Sequence, residues 1–223
     1  IIIATNQRLE IYTYEDGSFV LASQIYHALY PQEITVSDIN NDGIDEILLA
    51  RVGRATKSYN DQLVEAYQIV DGELVLLGTS PLLGNIRAIT SGELGPDNEG
   101  CQVVVESGFG NNSGVLYLLR WEEDALRIKN ATEKLLPSIV YGLDIGSVNG
   151  LPVLVTAEVW GRVNYFGFQA DTAGGGRFER LGDELSLKHA FLSAAIGGLK
   201  GLPETAVVLI GHPSVLLILT ASL

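Results

Sequence analysis

The sequence is poor in the residues that mark several well-known protein classes. It contains a single cysteine, Cys101, among 223 residues, which excludes an internal disulfide framework and a cysteine-rich metal site. Cys101 opens the largely apolar run 101–105, so we expect a buried structural thiol rather than a nucleophile. The chain also has no continuous apolar run of about 18 residues, which argues against a transmembrane helix.

The sequence is also poor in basic residues. The chain has 14 lysine and arginine residues against 27 aspartate and glutamate residues, which gives a formal net charge of −13. Since nucleic acids and anionic membrane surfaces attract basic proteins, this charge argues against both as partners. An acidic surface suits the binding of cations instead.

Sequence motifs of the common enzyme classes are also missing. The chain contains no P-loop, no H-E-x-x-H zinc motif and no G-x-S-x-G nucleophile motif. Its three histidines, His27, His189 and His212, are scattered, so we interpret them as turn or partly buried residues rather than acid–base catalysts. The sequence therefore indicates a protein without catalytic or cofactor-binding residues.

What the sequence does contain is a repeat of β-type segments. Helical periodicity is not convincing anywhere, whereas 25 glycines and short apolar segments point to strands joined by turns. Four segments share the order strand, small or acidic turn, apolar strand. They recur about every fifty residues, which is a propeller-sized period. These segments are Ile34–Ala50, Ala88–Ser107, Ile139–Ala157 and Ala190–Ile210.

The stretches between these segments supply two more strands to each repeat. Asp-Gly pairs at 16–17 and 71–72 lie between apolar strands, which is a β-hairpin signal. Each repeat therefore predicts four antiparallel strands, and the continuous apolar second strands predict burial of both of their faces. A tyrosine recurs in the strand before each turn, and we expect equivalent third-strand positions for Tyr12, Tyr67, Tyr117 and Tyr165.

These repeats predict an all-β fold, a β-propeller of four-stranded antiparallel blades that forms one domain. The expected division is a partial blade at 1–33, blades at 34–86, 87–138 and 139–188, and a partial blade at 189–223. The two end segments both supply second and third strands, so they do not complement each other into one shared blade. We therefore expect an arc of a larger ring. A self-closed five-bladed ring is the alternative.

The turn between the first and second strands of the first full repeat carries an ordered set of oxygen donors. Side-chain oxygens recur at its positions 1, 3, 5 and 9, and Gly43 supplies the sharp turn at position 6. Ca²⁺ takes about 6–8 oxygen ligands, so this set approaches a complete shell. The alternative is a polar surface turn without a metal. The Ca²⁺ ligands that the sequence predicts are the side chains of Asp38, Asn40, Asp42 and Glu46 and the carbonyl of Ile44.

The turn resembles the calcium loop of FG-GAP/VCBS repeats, D-x-[DN]-x-D-G-x-x-[DE], found in propeller blades such as those of integrin α-subunits. It lacks the position-12 glutamate of an EF-hand, and the apolar run 47–49 follows it. The resemblance implies a non-enzymatic, calcium-stabilised propeller that binds a protein partner in adhesion or recognition, in an extracellular or cell-envelope location. Carbohydrate binding or polysaccharide processing is the alternative, since some lectins and polysaccharide lyases resemble this architecture.

The corresponding turns of the other repeats depart from this pattern. The second has Glu93, Asp97 and Glu99 with an insertion, and metal binding there stays open. The third and fourth lack most of the oxygen donors, so we expect metal-free structural turns at Asp144–Leu151 and Ala195–Pro203.

Carbohydrate recognition would need acidic and aromatic side chains on one surface. Trp160, with Arg162, Asn164 and Tyr165, is the candidate ligand surface in this sequence. The observation that separates the two functions is whether Trp160, Tyr165 and His189 converge in one pocket.

Overall fold

The computed structural model describes most of the chain, and all regular structure in that part is β-strand. No helix occurs among these residues, and so none that would cross a membrane. The described residues are 1–5, 8–26, 31–52, 61–95, 100–108, 114–132, 136, 138–170, 176–198, 205–212 and 215–220.

The strands form five antiparallel sheets. The first sheet contains β1 (Ile2–Ala4), β2 (Arg8–Glu15) and β3 (Ser18–Tyr26). The second contains β4 (Pro31–Ser37), β5 (Glu46–Val52), β6 (Gln62–Val70) and β7 (Glu73–Thr79). The third contains β8 (Ile86–Gly92), β9 (Gln102–Gly108), β10 (Gly114–Glu122) and β11 (Ala125–Thr132).

The fourth sheet is the largest, because a short extra strand pairs with its third strand. It contains β12 (Val140–Val148), β13 (Leu151–Glu158), β14 (Arg162–Ala170), β15 (Gly176–Arg180) and the added β16 (Leu185–Ser186). The fifth sheet contains β17 (Ala190–Gly198), β18 (Thr205–His212) and β19 (Val215–Thr220).

The five sheets are arranged as a five-bladed β-propeller, which confirms the all-β propeller expected from the repeat. Within each sheet, strands that are consecutive in sequence pair antiparallel. The predicted Asp-Gly hairpins are present: Asp16 and Asp71 have φ values of 47° and 52°, and the glycine after each has 84°. Two successive positive φ values give the turn the twist of the strands that it joins.

Buried apolar side chains hold each pair of consecutive sheets together. Four such clusters occur in the described part of the chain, one at each junction. The second strands carry apolar residues on both faces, as expected, because each central sheet has a neighbour on both sides. Representative fully buried side chains at the successive junctions are Leu9 and Leu49, Leu48 and Val105, Leu118 and Phe166, and Val155 and Phe191.

A bulge recurs in the first strand of the last four sheets. A bulge adds one residue to one strand of a pair, and it increases the local twist. Residues of different sheets that lie equally far from the bulge in their own strand are therefore structurally equivalent. The register shifts lie between Pro31 and Glu33, Ile86 and Ala88, Val140 and Gly142, and Phe191 and Ser193.

The expected equivalence of the four tyrosines is wrong for two of them. Tyr12 and Tyr67 directly follow the register shift of their strands and are equivalent. Tyr117 lies before the corresponding shift between Leu118 and Leu119. Tyr165 packs toward the fifth sheet, whereas Tyr67 packs toward the first. Because side chains alternate along a strand, an odd offset moves a residue to the opposite face.

The third and fourth turns also begin later than expected. β12 continues to Val148, and a two-residue turn, Asn149-Gly150, with φ values of 53° and 79°, connects it to β13. Asp144 is consequently a strand residue, and so is Ala195, because β17 continues to Gly198.

Candidate functional site

The turn at 38–45 joins β4 to β5, where the sequence places the calcium ligands. Asp38 accepts hydrogen bonds from the backbone N–H groups of Asp42, at 3.1 Å, and Gly43, at 2.9 Å. Asn41 and Gly43 have φ values of 61° and 85°, which Asn and Gly adopt at lower cost than other residues. Asp38 therefore folds the turn by bonding to its backbone.

Asp42 and Glu46 converge at the base of this turn. The Nδ2 atom of Asn40 donates to Asp42 Oδ2 and to Glu46 Oε1, in both cases at 3.1 Å. The second oxygen of Glu46 accepts from the backbone N–H of Ile39 at 2.9 Å. Glu46 is fully buried, so its carboxylate closes the inner end of the turn.

Gln68 is a member of this cluster that sequence reasoning missed. It lies on β6, and its Nε2 atom donates to Asp42 Oδ2 at 2.9 Å and to Glu46 Oε1 at 3.0 Å. The third strand of the sheet thereby contacts the turn between the first two. In the sequence Gln68 is one of three polar residues in β6, with Gln62 and Glu65, so nothing local singled it out as a partner of the turn.

The two converging carboxylates differ in their electrostatics. Burial raises the pKa of Glu46, and the charges of Asp42 and Asp38 add to that rise, although the Ile39 N–H opposes it. Hydrogen bonds from Gln68 and from the Ile44 N–H lower the pKa of Asp42. Among the described residues, no basic side chain forms an ion pair with either carboxylate. In the part of the chain that the structure describes, the groups that stabilise these two carboxylates are N–H donors.

The structure brings together three of the five predicted ligands: Asn40, Asp42 and Glu46. Asp38 is directed to the backbone of the turn, and Ile44 donates its N–H to Asp42 Oδ1 at 2.8 Å. A metal-ligand role for the Ile44 carbonyl stays a prediction. In the described part of the chain, no group of three or more His, Cys, Asp and Glu side chains is preassembled for a metal. The donors are nevertheless hard oxygens, which is the chemistry that Ca²⁺ prefers.

The turn of the third sheet has a neutral residue at the position that corresponds to Glu46. Gln102 begins β9 as Glu46 begins β5, and its Oε1 accepts from the Leu94 N–H at 2.7 Å. A neutral amide thus occupies the place of the buried carboxylate. Glu93 is exposed, and the other acids of this turn, Asp97 and Glu99, lie outside the described residues.

The residues proposed for a carbohydrate surface differ widely in exposure and packing. Trp160 is 72% exposed in the turn between β13 and β14. Asn164 is fully buried, and Tyr165 packs between the fourth and fifth sheets. Arg162 pairs with Glu184 at 3.4 Å. Only Trp160 of this set is therefore a well-exposed aromatic side chain.

Two clefts lie near the inner strands. One, of about 580 Å³, lies beside the turns of the third and fourth sheets, and Glu93 is the charged residue among its described lining residues. The other, of about 290 Å³, is lined by the first strands of four sheets and contains Glu33 and Asp144. Neither of these clefts is lined by Trp160, Tyr165 or His189.

The buried thiol expected at Cys101 is partly confirmed. The side chain is half-buried beside the second sheet, and Ser37 Oγ lies 2.8 Å from its Sγ. Burial raises the pKa of this thiol, which reduces its reactivity as a nucleophile.

No protein-family model and no curated protein sequence matches the chain.

Proposed function

We propose that this chain is a non-enzymatic propeller scaffold whose second sheet is stabilised by Ca²⁺, and that it serves recognition of a protein partner. In this proposal the side chains of Asn40, Asp42 and Glu46 hold the ion, together with Asp38 and the Ile44 carbonyl. The bound ion supplies positive charge that offsets the repulsion between the carboxylates. The proposal also places the chain among FG-GAP/VCBS-type repeats.

The observation that carries the proposal is the convergence of Asp42 and Glu46 at two shared amide groups. Two carboxylate oxygens within 3.1 Å of the same nitrogen atoms repel each other, and one of the two acids is fully buried. A half-turn of the Asn40 or Gln68 carboxamide replaces an N–H donor by an oxygen. The cluster thus has the groups to accept either hydrogen-bond donors or a hard cation.

An extracellular or cell-envelope location accords with this proposal. Extracellular calcium modules have dissociation constants of about 10⁻⁴–10⁻³ M. A site of that affinity is filled where Ca²⁺ is near millimolar. The recognition part of the proposal rests on the resemblance of the turn to the calcium loops of FG-GAP/VCBS repeats.

Thermal unfolding with Ca²⁺, with Mg²⁺ and with a chelator tests the proposal. At about 1 mM Ca²⁺ and a dissociation constant near 10⁻⁴ M, binding stabilises the fold by about 1.4 kcal/mol. We expect a higher melting temperature in Ca²⁺ and little effect of Mg²⁺, which requires a tighter octahedral shell. Asp42→Ala should remove the calcium dependence and leave the sheet content unchanged.

Asp45→Ala is the matched control, because Asp45 lies exposed in the same turn but outside the converging cluster. It should keep the calcium response of the wild type. Identical wild-type curves in Ca²⁺ and chelator would show that the turn works without a metal. Binding to a polysaccharide that is lost in Trp160→Ala would replace protein recognition by the carbohydrate alternative.

A further inference from the structure

The amide nitrogen of Gln68 lies between the two converging carboxylates of the second sheet. This Nε2 atom is 2.9 Å from Asp42 Oδ2 and 3.0 Å from Glu46 Oε1, the same two oxygens to which Asn40 donates. A nitrogen that bridges two carboxylate oxygens occupies the space between two negative charges. A cation held by those oxygens takes the same space, so an ion that enters the turn must displace this NH₂ group.

The oxygen of the same carboxamide is available as a ligand. The Gln68 side chain is only 9% exposed, and no donor among the described residues bonds to its Oε1 atom. A half-turn of the carboxamide exchanges the positions of its NH₂ group and its oxygen. Among the described residues, the hydrogen bonds that this half-turn breaks are those to Asp42 and Glu46, and a bound ion takes over their role.

The other sheets allow a comparison at the same two positions. Positions in different sheets are equivalent where they lie equally far from the bulge of the first strand and follow the same cross-strand pairs. The residues equivalent to Glu46 and Gln68 are Gln102 and Arg120 in the third sheet, Val153 and Gly167 in the fourth, and Ala206 and Thr220 in the fifth. Of these four sheets, the second is therefore the one that combines a carboxylate with a carboxamide.

The third strand thus changes together with the turn. In the third sheet the carboxylate is replaced by the neutral Gln102, and Arg120 brings a permanent positive charge to the position of Gln68. A positive charge at this position disfavours a metal cation beside it. The fourth and fifth sheets, whose turns lack most of the oxygen donors, have no carboxamide on the third strand either. The carboxamide of Gln68 accompanies the one turn that has the full set of oxygen donors.

We propose that Gln68 is a ligand of the ion, which it binds through Oε1 from the third strand of the sheet. This inference rests on the calcium site proposed above. The ligands proposed in the turn supply fewer oxygens than the about 6–8 that Ca²⁺ takes, so a ligand from β6 fits the shell. The ion then joins β6 to the turn between β4 and β5, as the two N–H bonds of Gln68 do without it.

Luminescence of bound Tb³⁺, a trivalent ion that enters Ca²⁺ sites, tests the proposal. Its lifetimes in H₂O and in D₂O give the number of water molecules on the ion, which a residue outside the shell does not change. Gln68→Ala should gain an additional water molecule relative to the wild type, because water fills the vacated ligand position. Gln68→Glu should gain none, because its carboxylate oxygen has the same reach as the amide oxygen.

Gln24→Ala is the matched control, because Gln24 lies at an exposed position of β3, and it should keep the water number of the wild type. Equal water numbers in the wild type and Gln68→Ala would overturn this inference and leave the calcium site itself in place. A wild type that binds neither Tb³⁺ nor Ca²⁺ would overturn both proposals.

Gln68→Glu also decides the case in which Gln68→Ala binds no ion at all. Binding by Gln68→Glu with the wild-type water number would support an oxygen ligand at this position. Loss of binding in both variants would show that Gln68 serves the turn through its N–H group, which contradicts the proposal.

Discussion

Asp144 accepts a hydrogen bond from the backbone N–H of Ile196 at 2.8 Å, and this bond joins the innermost strands of the fourth and fifth sheets. The other carboxylate oxygen accepts from the Ile145 N–H at 3.0 Å and from Thr90 Oγ1, in the third sheet, at 3.2 Å. One side chain therefore connects three consecutive sheets at the centre of the propeller. Burial raises the pKa of this carboxyl, and the three donors oppose that rise.

Replacing Asp144 by asparagine should destabilise the protein by about 1–3 kcal/mol, because the new NH₂ group leaves one side of the network without an acceptor. Urea unfolding measures this loss. Thr90→Val is the comparison: it removes only one of the three donors and should cost less. Equal stabilities of the asparagine variant and the wild type would show that the contact between the sheets does not depend on this carboxylate.

Glu106 is a buried acid in the third sheet. It is fully buried between the third and fourth sheets, and neither of its carboxylate oxygens has a hydrogen-bond partner among the described residues. Burial raises its pKa to about 8, and the charge of Glu158 adds to this although Arg87 opposes it. Gly114 lies on the neighbouring strand, where a side chain would collide with the carboxylate. The space for this acid therefore depends on that glycine.

The raised pKa makes the stability of the fold fall as the pH rises from 4.5 to about 8. The folded state holds the Glu106 proton up to about pH 8, whereas the unfolded chain releases it near the usual 4.5. The stability that this proton provides is complete below pH 4.5 and is lost as pH rises through 8. Glu106→Gln should therefore reduce the fall in melting temperature between about pH 5 and pH 8.

Other acids with raised pKa values, among them Glu158 and Asp144, keep part of that pH dependence in the variant. Glu73→Gln is the matched control, because Glu73 is an exposed strand residue, and its pH profile should follow the wild type. Parallel profiles for Glu106→Gln and the wild type would mean that this carboxyl ionises normally within the fold.

Gln68 offers a test of the polar cluster in the absence of metal. In chelator, Gln68→Met should cost about 1–3 kcal/mol, since the buried Glu46 carboxylate loses an N–H donor. Chemical unfolding measures the cost. Gln24→Met, at an exposed position of β3, should stay within about 0.5 kcal/mol of the wild type. If the two variants were equally stable, Gln68 would have no structural role in the turn.

The repeat could be predicted from sequence because its signals are local. Hairpin glycines such as Gly17 and Gly72 and the continuous apolar second strands determine strand order without reference to the rest of the chain. The turn at 38–45 was placed correctly for the same reason, since its Asp, Asn and Gly residues stand within one short segment.

The parts that could not be predicted depend on contacts between distant residues. Gln68 reaches Asp42 across 26 positions, and Asp144 reaches Ile196 across 52. The equivalence of Tyr67 and Tyr165 failed because strand register depends on bulges, which leave no clear mark in the residue pattern. Asp144 was assigned to a turn since its spacing resembled that of Asp38, yet its donors lie in neighbouring sheets.

The pairing of strands in sequence order has a consequence for how the chain reaches this structure. Each sheet forms from neighbouring segments, so its strands meet by closing short loops, and local contacts favour fast folding. A sheet can then form before the following sheet has been synthesised, and each new sheet docks on the exposed apolar face of the one before it. Hydrogen exchange should therefore reveal opening in units of one sheet, with the central sheets protected longest.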